Sequence, residues 1–210
     1  MLLKKLRGLF GPAETGRVYI TGTGRAGTTF LMQLLTELGL DTGFHEDDGS
    51  SYFATARAGL EWDIFDPTGP TIVKSPFLCD HMDDLLAAGF EFRHVIVPVR
   101  DISSAAASRK LVQTQTTGTA DGIAVAGGLW GTDRGTDQAD VLAHKFAAVV
   151  DALVRNDIPT TFVSFPRITK DKEYLFAKLA PIFPNIRASR FRSAFKRVSR
   201  PEMVNDFKRP

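Results

Sequence analysis

The sequence predicts an α/β protein of three layers, a central and mostly parallel sheet flanked by helices. Three observations predict it. Short β-branched and aromatic runs alternate with longer stretches of helical periodicity, the order that builds a parallel sheet covered on both faces. A glycine-rich turn stands between the first strand and the first helix. With 210 residues, 43% hydrophobic and 24% charged, the chain can bury a proper core and reads as one domain spanning residues 1–210.

Arg17 to Thr21 is the first strand, a β-branched and aromatic run that follows Gly-Pro. Phe30, Leu31, Leu34, Leu35 and Leu38 then recur at helical spacing, and Gly39 supplies the stop. Thr71 to Lys74 and His94 to Val99 read as strands, each followed by a helix, near Asp80 to Ala88 and Ile102 to Thr114. Leu142, Phe146, Val149, Val150 and Leu153 put an apolar stripe on a long helix that ends before Pro159. Thr160 to Val163 is another strand, and Tyr174 to Ile182 another helix. Thr117 to Gly135 holds six glycines without periodicity, which predicts a mobile loop or lid.

Composition excludes several classes. No apolar run approaches the ~20 residues of a bilayer span, so no integral membrane segment is expected. Cys79 is the only cysteine, which removes intrachain disulfides and cysteine-based zinc sites and suits a reducing, cytoplasmic setting. Met1 to Phe10 carries Lys4, Lys5 and Arg7 among leucines but lacks a signal peptide's apolar core, and reads as a basic amphipathic turn. A net charge of +2 hides two uneven stretches. Asp41 to Asp66 holds seven acidic residues and one basic, while Arg187 to Arg209 holds eight basic and two acidic. Both read as solvated faces, or as a basic segment (residues 187–210) closing over an anion while the acidic one faces something else. The tail has no groove-reading pattern, and nucleic acid is not an expected partner.

The most informative stretch is Gly22-Thr23-Gly24-Arg25-Ala26-Gly27-Thr28-Thr29. It has phosphate-loop spacing, with Thr28 where lysine usually stands and Thr29 at the Ser/Thr position. Its glycines let several N–H groups aim at one anion, at the positive end of the following helix. The expected fold is therefore P-loop NTPase-like. A phosphate-loop kinase would want lysine after Gly27 and a strand-end aspartate for magnesium. Neither is present: His94 to Val99 runs into Arg100-Asp101.

Arg25, Ala26, Gly27, Thr28, Thr29 and Phe30 resemble the 5′-phosphosulfate motif of the sulfotransferase family, with Gly24 preceding it and Phe30 where many members place an aromatic beside the nucleotide. The resemblance implies 3′-phosphoadenosine 5′-phosphosulfate as co-substrate, with no metal, and a second site for its 3′-phosphate. Arg100, ending a strand, and Ser108, eight residues on, match that family motif. Lys74, followed by Ser75, resembles the strand-end lysine that approaches the transferring sulfuryl group. Phe165 to Ile182 is similar to the family's late helix. Arg192 and Arg197, with Lys196 and Arg200, would serve as the basic C-terminal loop over the 3′-phosphate, although the usual Arg-Lys-Gly pattern is absent.

The chemistry so implied is in-line sulfuryl transfer to a hydroxyl or amine, with Arg25 and Lys74 stabilising developing charge and a base taking the acceptor proton. The family's histidine two residues after the lysine is replaced by Pro76. In the cluster His45-Glu46-Asp47-Asp48, Glu46 is the first substitute and His45 the second, with His81 third. His94 and His144 read as structural. Trp62 and Trp130 read as core packing or as walls of an acceptor pocket. The resemblance is to enzymes of bacterial type, with a small-molecule, carbohydrate or lipid-linked acceptor. A kinase using ATP and magnesium, or a non-catalytic nucleotide-binding protein, stands as the alternative. Oligomeric state is left open.

Overall fold

The computed structural model describes residues 16–45, 52–53 and 58–204, and everything structural below concerns these residues. Glu46, Asp47 and Asp48, the basic N-terminal segment and the last six residues lie outside them.

Four parallel strands form the central sheet. In chain order the elements are β1 (Arg17–Ile20), α1 (Thr28–Glu37), the short β2 (Tyr52–Phe53) and β3 (Ala58–Gly59), then β4 (Ile72–Lys74) and α2 (Leu78–Ala87). They continue with β5 (Phe92–Val99), α3 (Ile102–Thr117), α4 (Gln138–Arg155), β6 (Thr160–Ser164), α5 (Lys172–Leu179) and α6 (Ala188–Val198). Sheet order is β4-β1-β5-β6, and β2 pairs with β3 as a separate antiparallel ribbon. The register sets Ile20 beside both Lys74 and Ile96, so β1 and β4 end level while β5 runs on to Val99 beside Ser164.

Alternation along the strands splits the core. Val18, Ile20, Ile72, Ile96 and Val163 face α1, α5 and α6, while Tyr19, Val73, Val95 and Val97 face α2 and α4. β1 is wholly buried, as a central parallel strand must be. Pro98 survives inside buried β5 because its nitrogen faces β1, which has already ended at Ile20. Val95 N–H, three residues earlier, points the other way to the Pro159 carbonyl.

Two stretches carry detail that the sequence pattern does not specify. Residues of the basic C-terminal segment form α6, held by Phe191, Ala194 and Phe195 on its buried side. The glycine-rich stretch between α3 and α4 has no regular structure but is tied down by side chains. Gln113, fully buried, donates to the Ile123 carbonyl (2.8 Å) and accepts from Val125 N–H (3.3 Å) and Leu129 N–H (3.2 Å). Gln138, equally buried, brackets Trp130, accepting from its N–H (2.7 Å) and donating to its carbonyl (3.1 Å).

α1 and the α3–α4 pair lie on opposite faces of the sheet, so the chain leaves β1 and β5 in opposite directions. That divergence opens a crevice beyond the carboxyl ends of adjacent strands, where doubly wound sheets bind ligands.

Candidate active site

A cleft of about 940 Å³ occupies this crevice. Its floor is the turn after β1. Gly24 (φ 65°) and Gly27 (φ 87°) adopt left-handed backbone, and Arg25 (φ 54°) joins them despite its side chain. Gly27 caps α1, so no cap side chain closes the helix's first N–H groups, and Thr28, Thr29 and Phe30 line the cleft. α3, by contrast, is closed by Asp101, which accepts from Ser104 N–H at 2.9 Å. A Cβ on Gly27 would stand 2.9 Å from Phe165 Cδ2 and 3.0 Å from Ile168 Cδ1, so glycine is required on both counts.

Arg25 joins this floor to the end of β5. Its Nε donates to Ser108 Oγ (3.1 Å), and its carbonyl accepts from Arg100 Nη1 (2.7 Å). Arg100 is buried, with its guanidinium 4.9 Å from the centre of the Phe165 ring. Lys74 stands on the other flank, also buried, and its ammonium has three partners for three protons. These are Thr29 Oγ1 (2.9 Å), the Gly59 carbonyl and Glu61 Oε1 (2.8 Å). Burial pushes the Lys74 pKa down, Glu61 opposes that, and nearby Arg25 adds to it.

Of the residues singled out from sequence, Gly24, Arg25, Gly27, Thr28, Thr29, Phe30, Lys74, Arg100, Ser108 and Arg197 line one cleft, with His45 and Trp130. Ala26 is fully buried, and Glu46 lies outside the described residues. Arg192 is held away from the cleft by a bidentate pair with Glu173, at 2.8 and 3.0 Å. Arg197 lines the wall and pairs with Glu37. His81 lies beside Asp84 and Phe65, His94 bonds Thr161, and His144 bonds the Asp140 carbonyl. Trp62 packs edge-on against Phe44 and donates to Asp66.

Glu61 and Arg109 are among the site residues that escape sequence reasoning. Glu61 is the carboxylate brought to Lys74, thirteen positions earlier in an acidic stretch without a motif. Arg109 follows Ser108 and is buried beneath the loop. Its Nε and Nη2 donate to the Thr23 carbonyl (3.3 and 2.9 Å) and Nη1 to the Gly128 carbonyl (2.7 Å). Burial, then Arg25, pushes its pKa down to about 9, which leaves it cationic at neutral pH. A Cβ on Gly24 would meet Arg109 Nη2 at 2.3 Å, so that glycine is what admits the guanidinium.

No family model matches the chain, and no curated protein or solved structure does so either. The site's chemistry rests on its own geometry. Backbone N–H groups, three guanidinium groups and an ammonium converge on one crevice, an arrangement that fits an anion with more than one phosphate-like group. No cluster of His, Cys, Asp and Glu suited to a metal ion occurs among the described residues, and no helix there is long and apolar enough to cross a membrane.

Proposed function

We propose that this protein is a sulfotransferase that moves a sulfuryl group from 3′-phosphoadenosine 5′-phosphosulfate to a hydroxyl or amine. One observation carries the reading. Through Arg25, the loop suited to a 5′-phosphosulfate shares a floor with Arg100 and Ser108, suited to a 3′-phosphate, and Lys74 reaches that floor from β4. The lysine that a phosphate loop carries in its own sequence is supplied here from a neighbouring strand, next to Thr29.

In this reading the acceptor oxygen or nitrogen attacks sulfur, the bond to the bridging oxygen breaks, and 3′-phosphoadenosine 5′-phosphate leaves. Arg25, Lys74 and the loop N–H groups stabilise charge gathering on the departing and equatorial oxygens. The acceptor proton passes to a carboxylate or imidazole on the Lys74 side. Glu61, 2.8 Å from Lys74, is the first such group and exposed His45 the second. Because all three Lys74 protons are engaged, the arriving sulfuryl group must displace one partner, and moving Glu61 away from Lys74 frees its carboxylate for the acceptor.

The test is calorimetric titration of the full chain with 3′-phosphoadenosine 5′-phosphate without metal, beside ATP with magnesium. Micromolar binding of the bisphosphate, lost in Arg100→Ala, is expected. Tight binding of ATP with magnesium and none of the bisphosphate would overturn the reading in favour of a kinase.

A further inference from the structure

We infer that the acceptor end of the cleft takes a hydroxyaryl compound, seated against a preformed wall built from Phe77, Val125, Leu129 and Trp130. The word acceptor rests on the sulfotransferase reading; the aryl site rests on the wall.

The cleft has two chemistries. Its floor is cationic, but past Lys74 the chain turns through Pro76 to Phe77, which lines the cleft with half its surface exposed. Facing it, the stretch between α3 and α4 contributes Leu129 and Trp130. The Phe77 and Trp130 rings stand 6.1 Å apart at 83°, forming an edge-to-face corner. A single exposed aromatic needs no explanation. This one lines the same cleft as the lysine suited to the reacting group, and the surface it faces is tied down by hydrogen bonds.

Those bonds are made by three buried side chains. Gln113 holds the main chain at Ile123, Val125 and Leu129; Arg109 holds Gly128; Gln138 holds both polar groups of Trp130. A loop so fixed offers its apolar surface without an ordering cost on binding. The same bonds decide the ligand class. The carbonyls of Ile123, Gly128 and Trp130 and the N–H groups of Val125, Leu129 and Trp130 are already engaged, and the wall's side chains are apolar. A polyhydroxylated sugar would find few partners there and lose those it had in water. The corner between two perpendicular rings suits a third ring, which can stack offset on one while meeting the other by its edge. Trp130 already carries Arg109 at 5.1 Å and Lys145 at 5.6 Å, so Phe77 is the ring with open surface to offer. Beside this apolar body Glu61, the one carboxylate paired with Lys74 among the described residues, suits a hydroxyl.

The experiment is calorimetric titration of the full chain with naphthol, hexanol and methyl glucoside, each with and without 3′-phosphoadenosine 5′-phosphate. Naphthol is expected to bind and the other two to bind at least about tenfold more weakly. Phe77→Ala should cost naphthol about tenfold, and Phe77→Leu, which keeps an apolar group and spares the fold, should erase the preference for naphthol over hexanol. Hexanol binding as well as naphthol, a preference for the glucoside, or naphthol binding indifferent to both Phe77 variants would overturn the inference. The two readings fail separately. Bisphosphate binding without naphthol binding removes the aryl site and spares the sulfotransferase. Phe77-dependent naphthol binding without bisphosphate binding does the reverse.

Discussion

Arg109 on α3 and Arg192 on α6 are both helical arginines within reach of several oxygens, yet the oxygens differ in kind. Arg109 is buried and donates to the carbonyls of Thr23 and Gly128, and it meets no carboxylate among the described residues. Arg192 is exposed and bound by both oxygens of Glu173. A carbonyl orients a guanidinium without cancelling its charge, whereas a carboxylate orients and neutralises it. Arg109 therefore holds its positive charge fixed by carbonyls alone among the described residues, while Arg192 spends its charge on packing α6 to α5. Arg100 also donates to a carbonyl, that of Arg25, at 2.7 Å.

After the loss expected for Arg100→Ala, breaking the loop side at Arg109 has the largest expected effect. Arg109→Met removes the cation and frees the carbonyls of Thr23 and Gly128 at once, so affinity for 3′-phosphoadenosine 5′-phosphate should fall about a hundredfold, the worth of ~2–3 kcal/mol of charge-assisted bonding. Arg109→Lys keeps the charge but not the fork. If it recovers most of the affinity, charge is the contribution; if it recovers none, the tie between Thr23 and Gly128 is. Calorimetry of the two variants side by side separates these cases.

Gly24→Ala tests the same contact from the loop. The added Cβ would stand 2.3 Å from Arg109 Nη2 at a residue with φ 65°, so the guanidinium must shift and the backbone is strained. A loss of about tenfold in bisphosphate affinity is expected, from ~1–2 kcal/mol of strain and displacement.

Lys74 sharpens the comparison, because it is a buried cation that is paired with a carboxylate, Glu61. Burial lowers its pKa, so its charge is lost at lower pH than that of a free lysine, and anion affinity should fall as pH rises through that lowered value. Stability moves the other way. Between the lowered folded value and the unfolded 10.5 the unfolded chain holds more protons, so Lys74's contribution to stability increases with pH across that window. Lys74→Arg, with a charge that persists, should flatten the alkaline fall in affinity. Titrations between about pH 7 and pH 10 and urea midpoints over the same range check both signs.

The sheet and the loop were legible because each is written in local pattern. β1, β4, β5 and β6 read as β-branched runs, and glycines at 22, 24 and 27 marked a turn whose positive φ angles demand them. What was not legible depends on which distant group a side chain meets. Glu61 looked like one acid in an acidic stretch until the chain brought both it and the Gly59 carbonyl onto Lys74. Arg109 was hidden beside Ser108, since a mid-helix arginine carries no local mark of burial. The glycines of residues 117–135 marked a loop, while the hydrogen bonds that bracket it come from Gln113 and Gln138, residues without a distinctive pattern. In α6 the apolar spacing of Phe191, Ala194 and Phe195 was present, but charge dominated the reading and obscured a helix.

The smallest effect is expected on the α6 side, where it tests whether paired charge is spent charge. Arg192→Ala removes an exposed guanidinium whose partner is already Glu173, so bisphosphate affinity should change less than about twofold. Arg197 is the intermediate case: it lines the cleft yet pairs with Glu37, which is itself largely covered, with 15% of its side chain exposed. Arg197→Ala should weaken binding by a few-fold only, since releasing Arg197 to an anion would leave Glu37 half-stripped of both water and partner. A tenfold loss at Arg192 would mean that its pair with Glu173 opens when the ligand arrives. The carboxylates of α1 and α5 would then be latches holding the α6 cations in reserve, and the contrast between the two sides of the cleft would become one between charge already committed and charge released on binding.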